Sequence, residues 1–140
     1  MAMKVSKMDV WVGAMKDQPG ALAAKLQPLA GAGGSLEYVL ARRTPEKKGK
    51  GVVFVSPVRG AKVRAAARKA GLRKSKSVCG LRVEGSDKAG VGLKITAALA
   101  EAGINVRGLS AGVIGRRFVM HVALDKAKDT AKATRILRKL

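Results

Sequence analysis

The chain has 140 residues, of which 29 are lysine or arginine and 9 are aspartate or glutamate, so its formal net charge is +20 at neutral pH. With 47% apolar residues it is too hydrophobic for a disordered chain, and its length suits one ordinary domain or two very small ones. No apolar run approaches the roughly 20 residues that cross a bilayer, and residues 1–8 lack the apolar core of a signal peptide, so a cytoplasmic protein with no membrane partner is expected.

Residues 8–15 alternate, with Met8, Val10, Val12 and Ala14 on one face, and read as a strand. Asp17-Gln18-Pro19-Gly20 is a turn, after which Leu22, Leu26 and Leu29 share one stripe of a helix. Pro28 lacks an amide hydrogen and is expected to bend or end that helix about one turn early. Gly33-Gly34 then closes it. Strands follow at 36–43 and 52–55, joined by the basic hairpin Glu46-Lys47-Lys48-Gly49-Lys50. A second helix carries Val63, Ala66, Ala67 and Ala70 on its apolar side, and a strand near 73–78 ends the first half.

The same order then recurs. Leu81 and Val83 alternate with Arg82 and Glu84 in a strand, Asp87-Lys88-Ala89-Gly90 forms a turn, and Val91, Ile95, Leu99 and Ala102 share a helical face closed by Gly103. Strands at 104–114 and 118–124 flank a Gly115-Arg116 turn, and a last helix points Ala127, Ala131, Thr134 and Leu137 inward. Position 17 aligns with 87, 29 with 99, 33 with 103 and 36 with 106, an offset of 70 that becomes 67 after the shorter second hairpin, where Val52–Val55 falls on Val119–Val122. The chain therefore reads as a duplication with halves at residues 1–79 and 80–140.

The fold class expected is α+β: two ferredoxin-like βαββαβ units with antiparallel sheets and helices on one face. The second half ends before its last strand. A segment near Met3–Ser6, aligned by the offset with the strand near 73–78, is expected to pair with the second sheet and fill its open edge.

Chemistry-bearing sets are few. A single histidine, His121, alternates with apolar neighbours in a strand, and the single cysteine, Cys79, excludes an intrachain disulfide. No catalytic set, metal-ligand spacing or phosphate-cradling loop is present, so neither enzyme activity nor a metal or other cofactor is expected. At the two turns, a loop entering a helix exposes unpaired amides, and a glycine lets a small anion approach them. The plainer alternative is that Asp17 and Asp87 cap the helices, the glycines only permit the turn, and Asn105 only satisfies backbone.

The run Asp87, Gly90, Ile95-Thr96, Leu99-Ala100-Glu101-Ala102-Gly103-Ile104-Asn105-Val106 resembles the pattern of ACT domains, small ligand-binding regulatory modules. Asp17-Gln18-Pro19-Gly20-Ala21-Leu22 with Leu36-Glu37-Tyr38-Val39 is similar to a second copy, and the whole is similar to stand-alone tandem ACT proteins. Gly92 departs from the pattern where the family usually has a large aliphatic residue, and Pro28 interrupts the first helix. The resemblance implies a non-catalytic amino-acid sensor, and the exposed sheet edges or helical faces of such small units invite pairing as a homodimer. It places the ligand between the turn of one module and the strand of a neighbour, with Asp87, Gly90 and Asn105 in one site and Asp17, Gly20 and Ser35 in another. Gln18, Ala21, Lys88 and Val91 join the two sets as neighbours of those turns.

The charge points to a second class of partner. Between Glu46 and Glu84 there is no acid and there are twelve basic residues, so a basic nucleic-acid-binding protein on a ferredoxin-like scaffold is the alternative. The plainer alternative for the charge is a solvated basic surface. Base-stacking modules carry aromatics on their strands, whereas here Trp11, Tyr38, Phe54 and Phe118 are scattered.

Overall fold

The computed structural model describes residues 3–140. In chain order the elements are β1 (Lys4–Met8), β2 (Trp11–Lys16), α1 (Ala21–Gly31), β3 (Tyr38–Arg43), β4 (Lys50–Ser56), α2 (Ala61–Lys69), β5 (Arg73–Lys74), β6 (Cys79–Ser86), α3 (Val91–Glu101), β7 (Val106–Ile114), β8 (Arg117–Leu124) and α4 (Ala127–Arg138). They form two compact units, Asp9–Ser75, and the segment up to Met8 together with Lys76–Leu140. Each unit has an antiparallel four-stranded sheet, ordered β3-β4-β2-β5 in the N-terminal unit and β1-β6-β8-β7 in the C-terminal one.

Strand register shows how closely the duplication is kept. Trp11 pairs with Val55 and Gly13 with Val53, while Leu81 pairs with Val122 and Val83 with Met120. On the other side of the central strand, Val39 faces Val55 and Leu109 faces Val122. Every one of these pairs is related to its twin by 70 before the hairpin and 67 after it. The added residues are absorbed in the hairpin, where Thr44 N donates to Lys50 O at 3.0 Å and Lys50 N to Lys47 O at 3.1 Å.

Each unit closes over its own core. In the N-terminal unit Trp11, Leu29, Val53, Val55, Val63, Ala67 and Leu72 are buried together. In the C-terminal unit Leu81, Val83, Ile95, Leu99, Phe118, Met120, Val122, Leu124 and Leu137 do the same. Burying one such aliphatic side chain contributes about 1.5–3 kcal/mol, which is why the helical stripes face the sheets. β1 pairs with β6 in register from Lys4 opposite Glu84 to Met8 opposite Gly80, so an N-terminal strand completes the C-terminal sheet.

Four details differ from expectation. Met8 ends β1, Val10 is buried just before β2, and within β2 the buried residues are Trp11 and Gly13, with Val12 half-buried and Ala14 exposed. Gly13 is inward because a Cβ there would stand 2.7 Å from Leu72 Cδ2 and 2.9 Å from Gly71 O; only a bare backbone fits. Pro28 lies inside α1 and does not end it: it supplies no amide to Ala24 O, yet the helix runs on to Gly31 and closes through Ala32 N to Pro28 O at 3.1 Å. β5 is two residues long, not six: after Ser75 N donates to Val10 O, the chain passes to the other unit. In α4 the inward pair is Ala133 and Leu137, one turn apart, while Ala127 and Ala131 are exposed.

Candidate functional site

The two strand-to-helix bends are built alike. Asp17 N donates to Gly49 O at 3.0 Å, and Asp87 N to Arg116 O at 2.8 Å, which ties each bend to the hairpin of its own sheet. Ala21 N then donates to Gln18 O and Val91 N to Lys88 O, and Gly20 and Gly90 open their helices with φ of 84° and 85°. At that φ a side chain is strained, so glycine is the residue that makes the corner. Neither helix is capped by a side chain. Asp17 and Asp87 are therefore not caps. Asp17 instead accepts from Arg43 Nε at 2.7 Å. The donors of each first helical turn have no partner within the helix and carry the positive end of its dipole.

A cavity adjoins each bend. In the C-terminal unit it has a volume of about 230 Å³ and is lined by Met3, Gly85, Ser86, Lys88, Ala89, Gly90, Val91, Lys94, Phe118 and Leu140. Its chemistry is an apolar wall with two ammonium groups. In the N-terminal unit the cavity measures about 420 Å³ and is lined by Ala14, Met15, Lys16, Gln18, Ala21, Ala24, Lys25, Lys50 and Ala70.

Of the residues singled out from sequence, Lys88, Gly90 and Val91 line the first cavity and Gln18 and Ala21 the second. Asp17, Gly20, Ser35, Asp87 and Asn105 line neither. Ser35 and Asn105 lie past the far ends of α1 and α3. An 11-residue helix is about 16 Å long, so no single unit brings Asn105 to Asp87 and Gly90, or Ser35 to Asp17 and Gly20. The cavity-lining residues that sequence reasoning missed are chiefly lysines. Lys94 stands one helical turn beyond Gly90 and was legible as such, whereas the adjacency of Lys16 and Lys50 follows from strand register alone.

Electrostatics elsewhere are simple. On the sheet of the C-terminal unit, Arg82 Nε lies 3.2 Å from Glu84 Oε2. Its hydrogen bond holds the Glu84 carboxyl below the usual carboxylate range against the opposing effect of burial, and the charges of Arg82, Lys4 and Arg117 act in the same direction as the bond. Arg82 Nη1 is also 3.4 Å from His121 Nε2, which places that histidine in a strand network. Trp11 and Phe118 are core residues and cannot stack on bases; Arg68 lies over the Trp11 ring, 5.6 Å from its centroid. Among the described residues no cluster of histidine, cysteine and carboxylate side chains could hold a metal, and no helix is long and apolar enough to cross a membrane.

Two antiparallel sheets, each with a glycine-opened helix over a small cavity, define a pair of ferredoxin-like α+β units. Residues 80–140 match the model of the ACT domain, and Asp9–Ser75 repeats the same fold. Among solved structures, one protein from Bacteroides thetaiotaomicron superposes with a TM-score of 0.78 at 9% identity, over 94% of this chain and 88% of that one. The regulatory subunit of aspartate kinase from Thermus thermophilus, in ligand-free form, gives 0.69 at 17% identity, over 99% and 96%. The corresponding subunit from Thermus flavus gives 0.63 at 18%, over the same shares. At these identities the likeness is one of fold. A sequence search of curated proteins finds no match.

Proposed function

We propose that this is a non-catalytic, cytoplasmic regulatory protein whose C-terminal unit binds a free amino acid. The observation that supports it most directly is the cavity at the Ser86–Val91 bend of the ACT domain: backbone donors, Lys88 and Lys94 suit a carboxylate, while Val91, Phe118 and Met3 suit an apolar side chain. The exposed carboxylate of Asp87, on the same bend, is the nearest acceptor in sequence for an ammonium group. Binding would act by linkage, because a ligand that prefers one arrangement of the protein shifts its population. A homodimer is the natural readout: β7 is an edge strand with Leu109, Val113 and Ile114 exposed.

The test is a thermal-shift screen of the common amino acids against wild type and Lys94→Ala. Ligand at about 100 times its Kd adds about 2.7 kcal/mol of stability, a rise of several degrees in Tm. One or a few amino acids should give that rise, and Lys94→Ala should reduce it. Twenty flat responses at millimolar ligand would refute the proposal. Light scattering with and without the stabilising amino acid should show a change in the monomer–dimer balance.

A second reading, association with polyanions, is favoured by the acid-free span from Lys47 to Val83 and by the exposure of Lys62, Arg64 and Lys69 on α2. It predicts nucleic-acid binding that weakens steeply with salt and shows little sequence preference, because Trp11 and Phe118 are buried and only Tyr38 and Phe54 are half-exposed. Affinity that is unchanged between low and physiological salt would rule it out.

A further inference from the structure

The cavity of the N-terminal unit differs in kind from its twin. Three lysines, Lys16, Lys25 and Lys50, line it, and no acid does. Lys16 and Lys50 are direct cross-strand partners on β2 and β4, an arrangement of like charges that destabilises a sheet by itself. Lys25 is the more telling residue. The duplication places it on Ile95, which is fully buried in the C-terminal unit. On α1 it is half-buried, with its Nζ donating to the Ala70 carbonyl at the end of α2. An ammonium has three donors, and that carbonyl accepts only one. Among the described residues none of the three lysines forms an ion pair. The space exists because β5 stops at Lys74: it pairs only with Trp11 and Val12, leaving the edge of β2 from Gly13 to Lys16 unpaired on that side.

A half-buried ammonium without a counter-charge, beside a like-charge pair, is stabilised by an anion that brings more than one negative charge. We propose that this cavity binds a small dianion, a phosphate monoester or a dicarboxylate, through Lys16, Lys25 and Lys50, so that the two units take ligands of different charge. This rests on the reading that the bends of both units are small-molecule sites, and it extends that reading to the N-terminal one. Gln18 and the first turn of α1 adjoin the same space and add uncharged donors.

Calorimetric titration of the full chain with inorganic phosphate and with malonate, at about pH 8 and an ionic strength fixed with chloride, tests it. Either dianion should bind with saturable heat that chloride lacks. Tighter phosphate binding assigns the phosphate class, tighter malonate binding the dicarboxylate class, and equal binding a site for dianions in general. Lys25→Met keeps the apolar stem and should weaken binding about tenfold or more. Lys50→Gln, at an exposed position, should also weaken it and guards against a folding defect in the first variant. Lys62→Gln removes the same charge from α2, outside the cavity, and should bind as wild type. Neither dianion exceeding chloride, or equal losses in all three variants, overturns the proposal. Amino-acid thermal shifts on Lys25→Met separate the two sites: they should persist, and if they are absent from wild type while phosphate binds, the amino-acid reading alone fails.

Discussion

The two units share a backbone plan but differ in what the inner positions carry. Position 13 is glycine where position 83 is valine, and position 25 is lysine where position 95 is isoleucine. Both changes remove an apolar side chain from an inner position of the N-terminal unit: Leu72 and Gly71 fill the space at Gly13, whereas Lys25 lines the larger cavity. The fold tolerates this because register and corner geometry are set by the backbone and its glycines, while the inner side chains decide how much core and how much cavity each copy has. Duplication preserved the frame and let the contents diverge.

If the frames are equivalent, truncating the same core position in each unit should cost a similar amount. Leu29 and Leu99 are twins with 1% and 0% exposure, each on the inner stripe of its first helix. Leu99→Ala and Leu29→Ala should each lose about 2–5 kcal/mol in urea denaturation, Leu99→Ala toward the upper end because its core is larger and collapses less. A loss below about 1 kcal/mol at Leu29 would show that α1 is not packed as its twin is.

That stripe was readable before any coordinates, as were the repeat, the strand order within each half and the shift of offset at the hairpin, because each depends on local period and punctuation. What was not readable depends on distance in space. The close packing of Leu72 and Gly71 on Gly13, nearly 60 residues away, is not visible in the local alternation, which groups buried Val10 with half-buried Val12 and exposed Ala14. Pro28 does not end α1, because the packing of Leu22, Leu26 and Leu29 against the N-terminal core holds the helix through Gly31 despite the lost amide. For the site, the bends were legible and the lysines around them were not: Lys16 meets Lys50 across a sheet, and Lys25 reaches the end of another helix. One clue was available, since the offset sets Lys25 on Ile95, a charge where the other copy has a core aliphatic. Asn105 and Ser35 were joined to the bends by resemblance, and helix length separates them within each unit.

The bends permit a finer comparison. A Cβ at Gly20 or Gly90 would meet nothing within 4 Å, so substitution there costs only the left-handed backbone. Gly20→Ala and Gly90→Ala should each destabilise by about 1–2 kcal/mol, and by equal amounts. If the glycines serve ligand approach as well, Gly90→Ala should further reduce the amino-acid thermal shift while Gly20→Ala leaves it intact. Equal stability losses with no such split would make the corner a purely architectural device.

The smallest expected effect separates the units by pH. The twins of Arg82 and Glu84 are Val12 and Ala14, so only the C-terminal sheet carries this ion pair. Because the folded carboxyl of Glu84 is held below its unfolded value by the Arg82 bond, its stabilisation is fully present above the unfolded value and is lost as pH falls through the folded one. Glu84→Gln should therefore be less stable than wild type by at most about 1 kcal/mol near neutrality, with the gap closing as pH falls below about 5. Lys4 opposite Glu84 and Arg117 nearby lose their counter-charge in the variant, so the deficit should shrink in high salt as well. A deficit that instead grew on acidification would mean that the carboxyl is protonated more readily in the fold than in the free chain, with burial outweighing the Arg82 bond.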